Sequence, residues 1–268
     1  FKDADIIHIY EPFSFGRHAR DYALSHGIPV TAGFHIQPEN IMYSLGVCRF
    51  IPGLSSAIYT GLYHYFYKKI PHIHVPTQME ADFLQRRHYR NALHVISNGY
   101  QPDFSPGYDA GDSIGAEEDT DAGAAHSPGS AQSPCTGKKF VIAAAGRLNR
   151  EKDHITLIRA IGKCRHNKDI ELRIAGTGPL YKRLMSECRK QLANTASVGF
   201  RKHSEMPRFF READLMVHPS IADIEGVSVL EGMACGLVPV IASSRLSAAG
   251  NFALTGNSLF PSGDSETL

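Results

Sequence analysis

Short runs of β-branched and other apolar residues alternate along the chain with longer segments in which apolar residues recur every three or four positions. In the first part, the runs "ADIIHIY" and "IPVTAGFH" flank a helical pattern in "SFGRHARDYALSHG". The segment "HIHVPTQMEADFLQRRH" then repeats the order strand, turn and helix, and "ALHVISNGY" adds another strand. Strands that alternate with helices predict a parallel sheet covered by helices.

The same alternation resumes near residue 139. The predicted strands are "KKFVIAAAGRL", "IELRIAGTG", "SVGF" and "DLMVHPS", with helices at "DHITLIRAIGKCRH", "LYKRLMSECRKQLA" and "EMPRFFREA". A loop, a helix from Val227 to Cys235 that Gly236 stops, and a strand from Val238 to Ala242 follow. Two doubly wound α/β domains place a ligand crevice at the carboxyl ends of their strands, so we expect site residues in strand-to-helix loops.

Residues 105–138 separate the two patterns and are dominated by Gly, Ala, Ser, Pro and acids, which bury too little apolar surface to offset the entropy of ordering. We therefore predict an acidic linker or disordered insertion there, between an N-terminal Rossmann-like domain, residues 1–104, and a C-terminal one, residues 139–268. The stretch 105–137 has six acids and no Lys or Arg, which leaves 28 basic and 21 acidic residues elsewhere. That basic remainder suits phosphate-bearing ligands or an anionic membrane surface.

Several classes of protein are disfavoured. No apolar run has the length of a membrane-spanning helix, and the five cysteines lack metal-ligand spacing. The glycines lack the third position of a dinucleotide fingerprint and the Lys-Ser/Thr ending of a P-loop. We expect no cofactor, no metal and no nucleic-acid partner, and a cytoplasmic protein. The chain opens like the middle of a longer protein, so both domains are expected to be truncated.

Two glycine-containing turns carry candidate chemistry. In "GRLNREK", Gly146 and Arg147 end a strand and Lys152 precedes a helix, so both cations can face one loop and neutralise a diphosphate. The alternative is a solvated basic turn. In "IAGTGP", Gly176 and Gly178 lie where the backbone either approaches a ligand or makes a tight turn.

The motifs "GRLNREK", "IAGTGP" and "EGVSVLEGMACGLVPVIAS", in this order, resemble those of the retaining glycosyltransferases of family 4, which have the two-Rossmann-domain GT-B fold facing a cleft. The resemblance extends to "PVTAGFHIQPENI" and "VISNGYQPDFSP" in the first half. That family carries two glutamates separated by seven residues. Here Asp223 occupies the first position relative to Glu231, and Glu225 comes two residues later, so the identity of the first acid stays open between Asp223 and Glu225.

The resemblance implies a role for each candidate residue around a nucleotide-diphosphate sugar. Asp223 or Glu225 would reach sugar hydroxyls, Glu231 would bind the ribose, and His35 would orient the sugar. The donor phosphates would be held by the cations and by backbone N–H groups at a helix N-terminus, where the dipole favours an anion. These phosphate-binding residues would be Arg147, Lys152, Gly226, Val227 and Ser228, with the donor loops formed by Gly146, Gly176 and Gly178.

The implied function is hexose transfer with retention, with UDP-glucose or a similar sugar as donor and a lipid or polysaccharide-precursor hydroxyl as acceptor. The alternatives are a GT-B nucleotide-sugar epimerase and a non-catalytic nucleotide-sugar-binding fragment. A basic aromatic helix with Tyr59, Tyr63 and Tyr67 followed by Lys68 and Lys69 allows two interpretations: packing against its own domain, or peripheral contact with an anionic membrane at the inner face of the cell membrane.

Overall fold

The computed structural model describes residues 3–45, 53–107 and 138–268, and the predicted acidic linker lies almost wholly outside these residues. The described residues up to 107 form a parallel sheet in the order β1-β2-β3-β4. The strands are β1 Ile7–Ile9, β2 Val30–Gly33, β3 His72–Val75 and β4 Ala92–Val95. The helices are α1 Ser14–Ser25, α2 Pro38–Leu45, α3 Leu54–Tyr65 and α4 Gln78–Arg86.

Residues 138–268 form a second parallel sheet, in the order β12-β10-β8-β5-β6-β7. Its strands are β5 Phe140–Ala145, β6 Ile170–Ala175, β7 Ser197–Gly199, β8 Leu215–His218, β10 Pro239–Ser243 and β12 Leu259–Pro261. A small parallel pair consists of β9 Ala222–Asp223 and β11 Leu246–Ser247. The helices are α5 His154–Lys163, α6 Tyr181–Gln191, α7 Met206–Arg211 and α8 Val227–Ala234.

The alternation of side chains along β5 explains why helices cover both faces of the second sheet. Ile142 belongs to a core with apolar residues of α5 and α6, whereas Ala143 belongs to a separate core with residues of α7 and α8. A strand buried on both faces reads as a continuous apolar run, which is what "FVIAAA" shows. The predicted order of strands and helices is thus found in both parts.

The aromatic helix α3 packs inward. Tyr59 and Tyr67 are fully buried in the core of the first part, and the ring of Tyr59 stacks on Phe34 with 5.8 Å between centroids. These two rings therefore serve packing and have no surface to offer a membrane, whereas Lys68 and Lys69 are exposed. Within the described part of the chain, no helix combines the length and apolar character needed to cross a membrane.

A buried acidic cluster lies beneath α3. The hydroxyl of Tyr59 is 3.2 Å from Glu39 Oε2 and 3.3 Å from Glu80 Oε1, and Arg87 stacks on the Tyr59 ring. One hydroxyl donates a single hydrogen, so it cannot satisfy two carboxylates at once. Burial raises the pKa of Glu80 to about 8, and the charge of Glu39 adds to this effect. Glu80 is therefore largely protonated at neutral pH.

Candidate active site

Three loops meet at the carboxyl ends of β5, β6 and β8, as the strand order requires. The loop after β5 is joined to the loop after β6 by the Leu148 amide, which donates to the Thr177 carbonyl at 2.8 Å. It is joined to the loop after β8 by the Ile221 amide, which donates to the Glu151 carbonyl at 2.7 Å. The loops thus form one hydrogen-bonded platform.

The glycines of these loops allow backbone to lie directly on backbone. A Cβ atom on Gly176 would lie 1.9 Å from the Gly146 carbonyl oxygen, and one on Gly178, with φ +158°, would lie 2.5 Å from the Leu148 carbonyl oxygen. Gly146 itself has φ +150°. The close approach at Gly176 and Gly178 is therefore to another loop of the chain, whereas the sequence pointed to a ligand or to a tight turn.

Lys152 and Asp223 form an ion pair at the centre of the platform. The Lys152 ammonium donates to Asp223 Oδ2, and the two side chains are 14% and 16% exposed. His218, buried at the end of β8, lies with Nε2 3.1 Å from the same oxygen. Because a carboxylate only accepts, the Nε2 of His218 carries the hydrogen.

Burial and neighbouring charges determine which groups of this cluster are ionised. Burial alone would raise the pKa of Asp223, but the charge of Lys152 and the hydrogen bond from His218 hold it well below its usual range. Burial lowers the pKa of His218, so the imidazole is neutral. Burial, together with the charge of Lys152, also lowers the pKa of His154 to about 3. Asp223 stays ionised beside one cation, Lys152, and one neutral imidazole, His218.

Arg147 lies on the same loop as Lys152 and points outward. Its guanidinium nitrogen is 3.2 Å from Oε1 of Glu151, with the arginine side chain 64% exposed and the glutamate fully buried. The Lys152 stem packs against Gly146, within 3.4 Å of the position a Cβ atom would take there. Both predicted cations therefore belong to one loop, and each lies beside an acid.

The N-terminus of α8 lies next to this ion pair. Gly226, the N-cap, has φ +88°, and its amide donates to Asp223 Oδ1 at 3.1 Å. The sequence assigns the Gly226 amide to the donor phosphates, whereas in this structure Asp223 accepts its hydrogen bond. The amides of Val227 and Ser228 have no acceptor within the described residues, and the Ser228 hydroxyl is 3.5 Å from the Ala145 carbonyl at the end of β5.

Glu231 lies farther along α8 and is half-buried. Burial raises the pKa of this carboxyl, the nearby His203 opposes the rise, and Asp103 adds to it. No hydrogen bond or ion pair connects Glu231 with Asp223 among the described residues. The two acids of the eight-residue spacing thus occupy separate environments, Asp223 in β9 and Glu231 in α8.

His35 is on the first part of the chain, just after β2. Its ring stacks on Tyr10 with 5.2 Å between centroids and meets His74 edge-on at 5.3 Å. The ring also covers Gly33, where a Cβ atom would lie 2.4 Å from His35 Nε2. That nitrogen is buried and has no hydrogen-bond partner among the described residues. Burial and then His74 lower the pKa of His35, so the imidazole is neutral. The charge of Glu225 has the opposite effect on this pKa, which shows that His35 lies close enough to the second part to interact with it electrostatically.

Glu225 makes the contact between the two parts. Its side chain is 3% exposed and accepts hydrogen bonds from the Ser97 hydroxyl and from the backbone and side-chain nitrogens of Asn98. The sequence patterns single out none of Ser97, Asn98 and His218. The available signal was positional, because all three residues lie at or just beyond the carboxyl end of a strand.

Comparison with known proteins identifies the family. Residues 130–267 match the family model described as Glycosyl transferases group 1, and residues 1–104 match Glycosyltransferase Family 4. The chain belongs to the group 1 glycosyl transferases. Its two parallel-sheet parts are the two Rossmann-like domains of the GT-B fold.

Two relatives match this chain. An uncharacterized glycosyltransferase of Methanocaldococcus jannaschii is 34% identical over 102 residues, 37% of this chain. Alpha-monoglucosyldiacylglycerol synthase of Acholeplasma laidlawii is 22% identical over 252 residues, 88% of this chain. The chain spans 26% and 58% of the lengths of these relatives, respectively.

Solved glycosyltransferase structures share the fold over nearly the whole chain. Anabaena HepE, in complex with UDP and glucose, matches 99% of this chain and 66% of its own with a TM-score of 0.70 and 18% identity. Sucrose-phosphate synthase of Thermosynechococcus elongatus matches 98% of this chain and 62% of its own with a TM-score of 0.69 and 15% identity. At these identities the likeness concerns architecture.

Proposed function

We propose that this chain carries the transfer site of a retaining hexosyltransferase that uses UDP-glucose or a similar nucleotide sugar and a lipid or polysaccharide-precursor hydroxyl. One observation carries the proposal: Lys152 pairs with the ionised Asp223 next to the amides of Val227 and Ser228, which have no acceptor among the described residues, and Arg147 belongs to the same loop as Lys152. The names of the Acholeplasma laidlawii synthase and the UDP- and glucose-bound HepE support the choice of donor and of a lipid acceptor.

The donor pyrophosphate would bind between the two cations and the α8 N-terminus. A guanidinium and an ammonium neutralise phosphate oxygens, and the first-turn amides add donors where the helix dipole favours negative charge. Lys152 has three N–H groups, so it can hold Asp223 and a phosphate oxygen together. The amide of Gly226 serves the site indirectly by fixing Asp223.

The sugar and the ribose would lie on either side of the phosphates. Asp223 would accept hydrogen bonds from sugar hydroxyls and Glu231 from the ribose diol, while His35 would donate to the sugar from the first domain. Negative charge grows on the departing phosphate during transfer, and fixed cations and amides stabilise that charge more than the ground state. In this scheme the departing phosphate oxygen takes the acceptor's proton.

Product analysis tests the proposal. The protein is incubated with UDP-glucose and vesicles containing diacylglycerol, and the lipid fraction is analysed by mass spectrometry and by NMR of the anomeric coupling. We expect an acceptor-linked α-glucoside that disappears in His35→Gln, with His94→Gln as the exposed control. Free rearranged sugar without acceptor product would favour an epimerase. Binding of UDP-glucose without turnover, unchanged in His35→Gln, would favour a binding module.

A lipid acceptor would bring the protein to a membrane surface, and the exposed Lys68 and Lys69 are candidates for contact with anionic headgroups. We expect Lys68→Glu with Lys69→Glu to reduce flotation with anionic vesicles, while Lys182→Glu with Lys190→Glu on α6 leaves it unchanged. Flotation that is the same in both double variants removes the membrane contact but leaves the transfer proposal intact.

A further inference from the structure

Glu225 lies between two residues of the donor platform, yet its carboxylate is directed at the first domain. Asp223 precedes it by two residues and Gly226, the N-cap of α8, follows it. Oε1 accepts from the Ser97 hydroxyl and from the Asn98 amide at 3.1 Å, and Oε2 accepts from Asn98 Nδ2 at 2.6 Å. A sugar hydroxyl would have to displace these donors to reach the carboxylate.

The donors are themselves oriented toward Glu225. The Ser97 oxygen accepts the Gly99 amide at 3.0 Å, which leaves its hydroxyl hydrogen for the carboxylate. Asn98 contributes both a backbone and a side-chain N–H, so one residue grips both carboxylate oxygens. Hydrogen bonds to a carboxylate that is 3% exposed are among the stronger ones, and the loss of either side leaves the other buried without a partner.

Two further hydrogen bonds follow the same seam. Gln37 Nε2 donates to the Leu246 carbonyl at 2.7 Å, and the Thr77 hydroxyl donates to the Ile224 carbonyl at 2.9 Å. Gln37 and Thr77 follow β2 and β3, as Ser97 follows β4, so three neighbouring strand ends of the first domain hold the second. Glu225 supplies the only charged side chain of these contacts among the described residues, and the loop it belongs to is the one that carries Asp223.

We propose that Glu225 is a positioning residue that clasps Ser97 and Asn98 and thereby fixes His35 relative to the donor platform, which leaves Asp223 as the acid that faces the donor sugar. The clasp is a structural property of the chain, whereas its effect on transfer rests on the proposed function. The two acids thus divide the roles that the sequence left open. Glu225 joins the domains, and Asp223 is left to bind the ligand.

The test is a double-mutant cycle between Glu225→Gln and Asn98→Ala. Gln is close to Glu in shape but turns an amide N–H₂ toward donors, so each single variant breaks the clasp. We expect each to lower kcat of transfer by about tenfold or more, with no further loss in the double variant, while the affinity for UDP changes by less than about twofold. Asp223→Asn serves as the comparison, with a raised donor KM expected.

A Glu225→Gln variant that raises the donor KM while Asn98→Ala is silent, or effects that multiply in the double variant, would overturn the clasp and return Glu225 to the donor site. The cycle is also run on thermal unfolding without any ligand, with Ser97→Ala as a second partner variant beside Asn98→Ala, and with Glu225→Asp as the milder variant where Glu225→Gln fails to fold. If the stability changes caused by the Glu225 variant and by the Asn98 or Ser97 variant are coupled, the clasp is supported even where no donor is turned over. If these stability changes are additive, the clasp is rejected.

Discussion

The ammonium of Lys152 donates to Oδ2 of Asp223 across 71 residues of sequence, with both side chains about six-sevenths buried. A loop cation after β5 and a loop acid after β8 meet because the two strands are neighbours in the sheet. The pair holds a cation in a fixed place beside the α8 N-terminus. A preorganised cation of this kind need not be reoriented when phosphate charge develops.

The first prediction concerns the phosphate role of Lys152. We expect Lys152→Ala to weaken binding of UDP and UDP-glucose by about tenfold or more, since charge-assisted hydrogen bonds are worth about 1.5–3 kcal/mol, and to leave uridine binding nearly unchanged. Isothermal titration calorimetry with the three ligands measures the difference. Lys190→Ala is the control, because it removes a lysine at the exposed end of α6. Equal weakening for uridine and UDP would contradict the role.

The second prediction concerns the pH dependence that Asp223 gives to stability. Its pKa in the folded chain is depressed, so ionisation stabilises the fold above the unfolded pKa of 3.8, and this stabilisation is lost as the pH falls. We expect Asp223→Asn to lower the unfolding free energy by roughly 3 kcal/mol at pH 7, because a largely buried ion pair loses one partner. The gap to wild type should shrink below about pH 4.

Denaturant unfolding of both proteins between pH 3 and pH 8 checks this behaviour. Glu205→Gln provides a control acid that is exposed. A gap between wild type and Asp223→Asn that stays constant through the acid range would show that the charge of Asp223 is not the source of the stabilisation.

The order of helices and strands can be predicted from the sequence, because each element has its own hydrophobic period and its own residues that begin or end it. The helix predicted from Val227 to Cys235 is found from Val227 to Ala234, with Cys235 as its C-cap and Gly236 at φ +90°. Alternation also places Asp223 and Glu225 in one loop. It does not set the direction of either side chain, because loop residues follow no fixed period and the donors of Glu225 lie 127 and 128 residues away.

The third prediction concerns the packing of the donor loops. Gly176→Ala would place a Cβ atom 1.9 Å from the Gly146 carbonyl oxygen, so the two loops must separate. We expect a loss of about 2 kcal/mol or more in unfolding free energy, together with weaker UDP binding, because Lys152 packs on Gly146. Gly199→Ala is the control, since a Cβ atom there meets nothing within 4 Å. Equal stability of both variants would refute the close approach.

The fourth prediction follows from the buried Glu80. Its pKa is raised from 4.5 to about 8, so between these values the unfolded chain ionises this carboxyl while the folded chain keeps it protonated, and stability falls as the pH rises. Glu80→Gln imitates the protonated form and removes that loss. We expect the unfolding free energy of the variant to match that of wild type near pH 4.5 and to exceed it at pH 8 by a few kcal/mol, since one pKa unit is about 1.4 kcal/mol.

Histidines also titrate in this range, but they are common to both proteins, so their contribution cancels in the difference. The variant Glu11→Gln, which removes an exposed acid, is the control. Unfolding curves of Glu80→Gln and wild type that stay parallel from pH 4.5 to pH 8 would mean that Glu80 is ionised in the fold, with its charge offset by Arg87 and the Tyr59 hydroxyl.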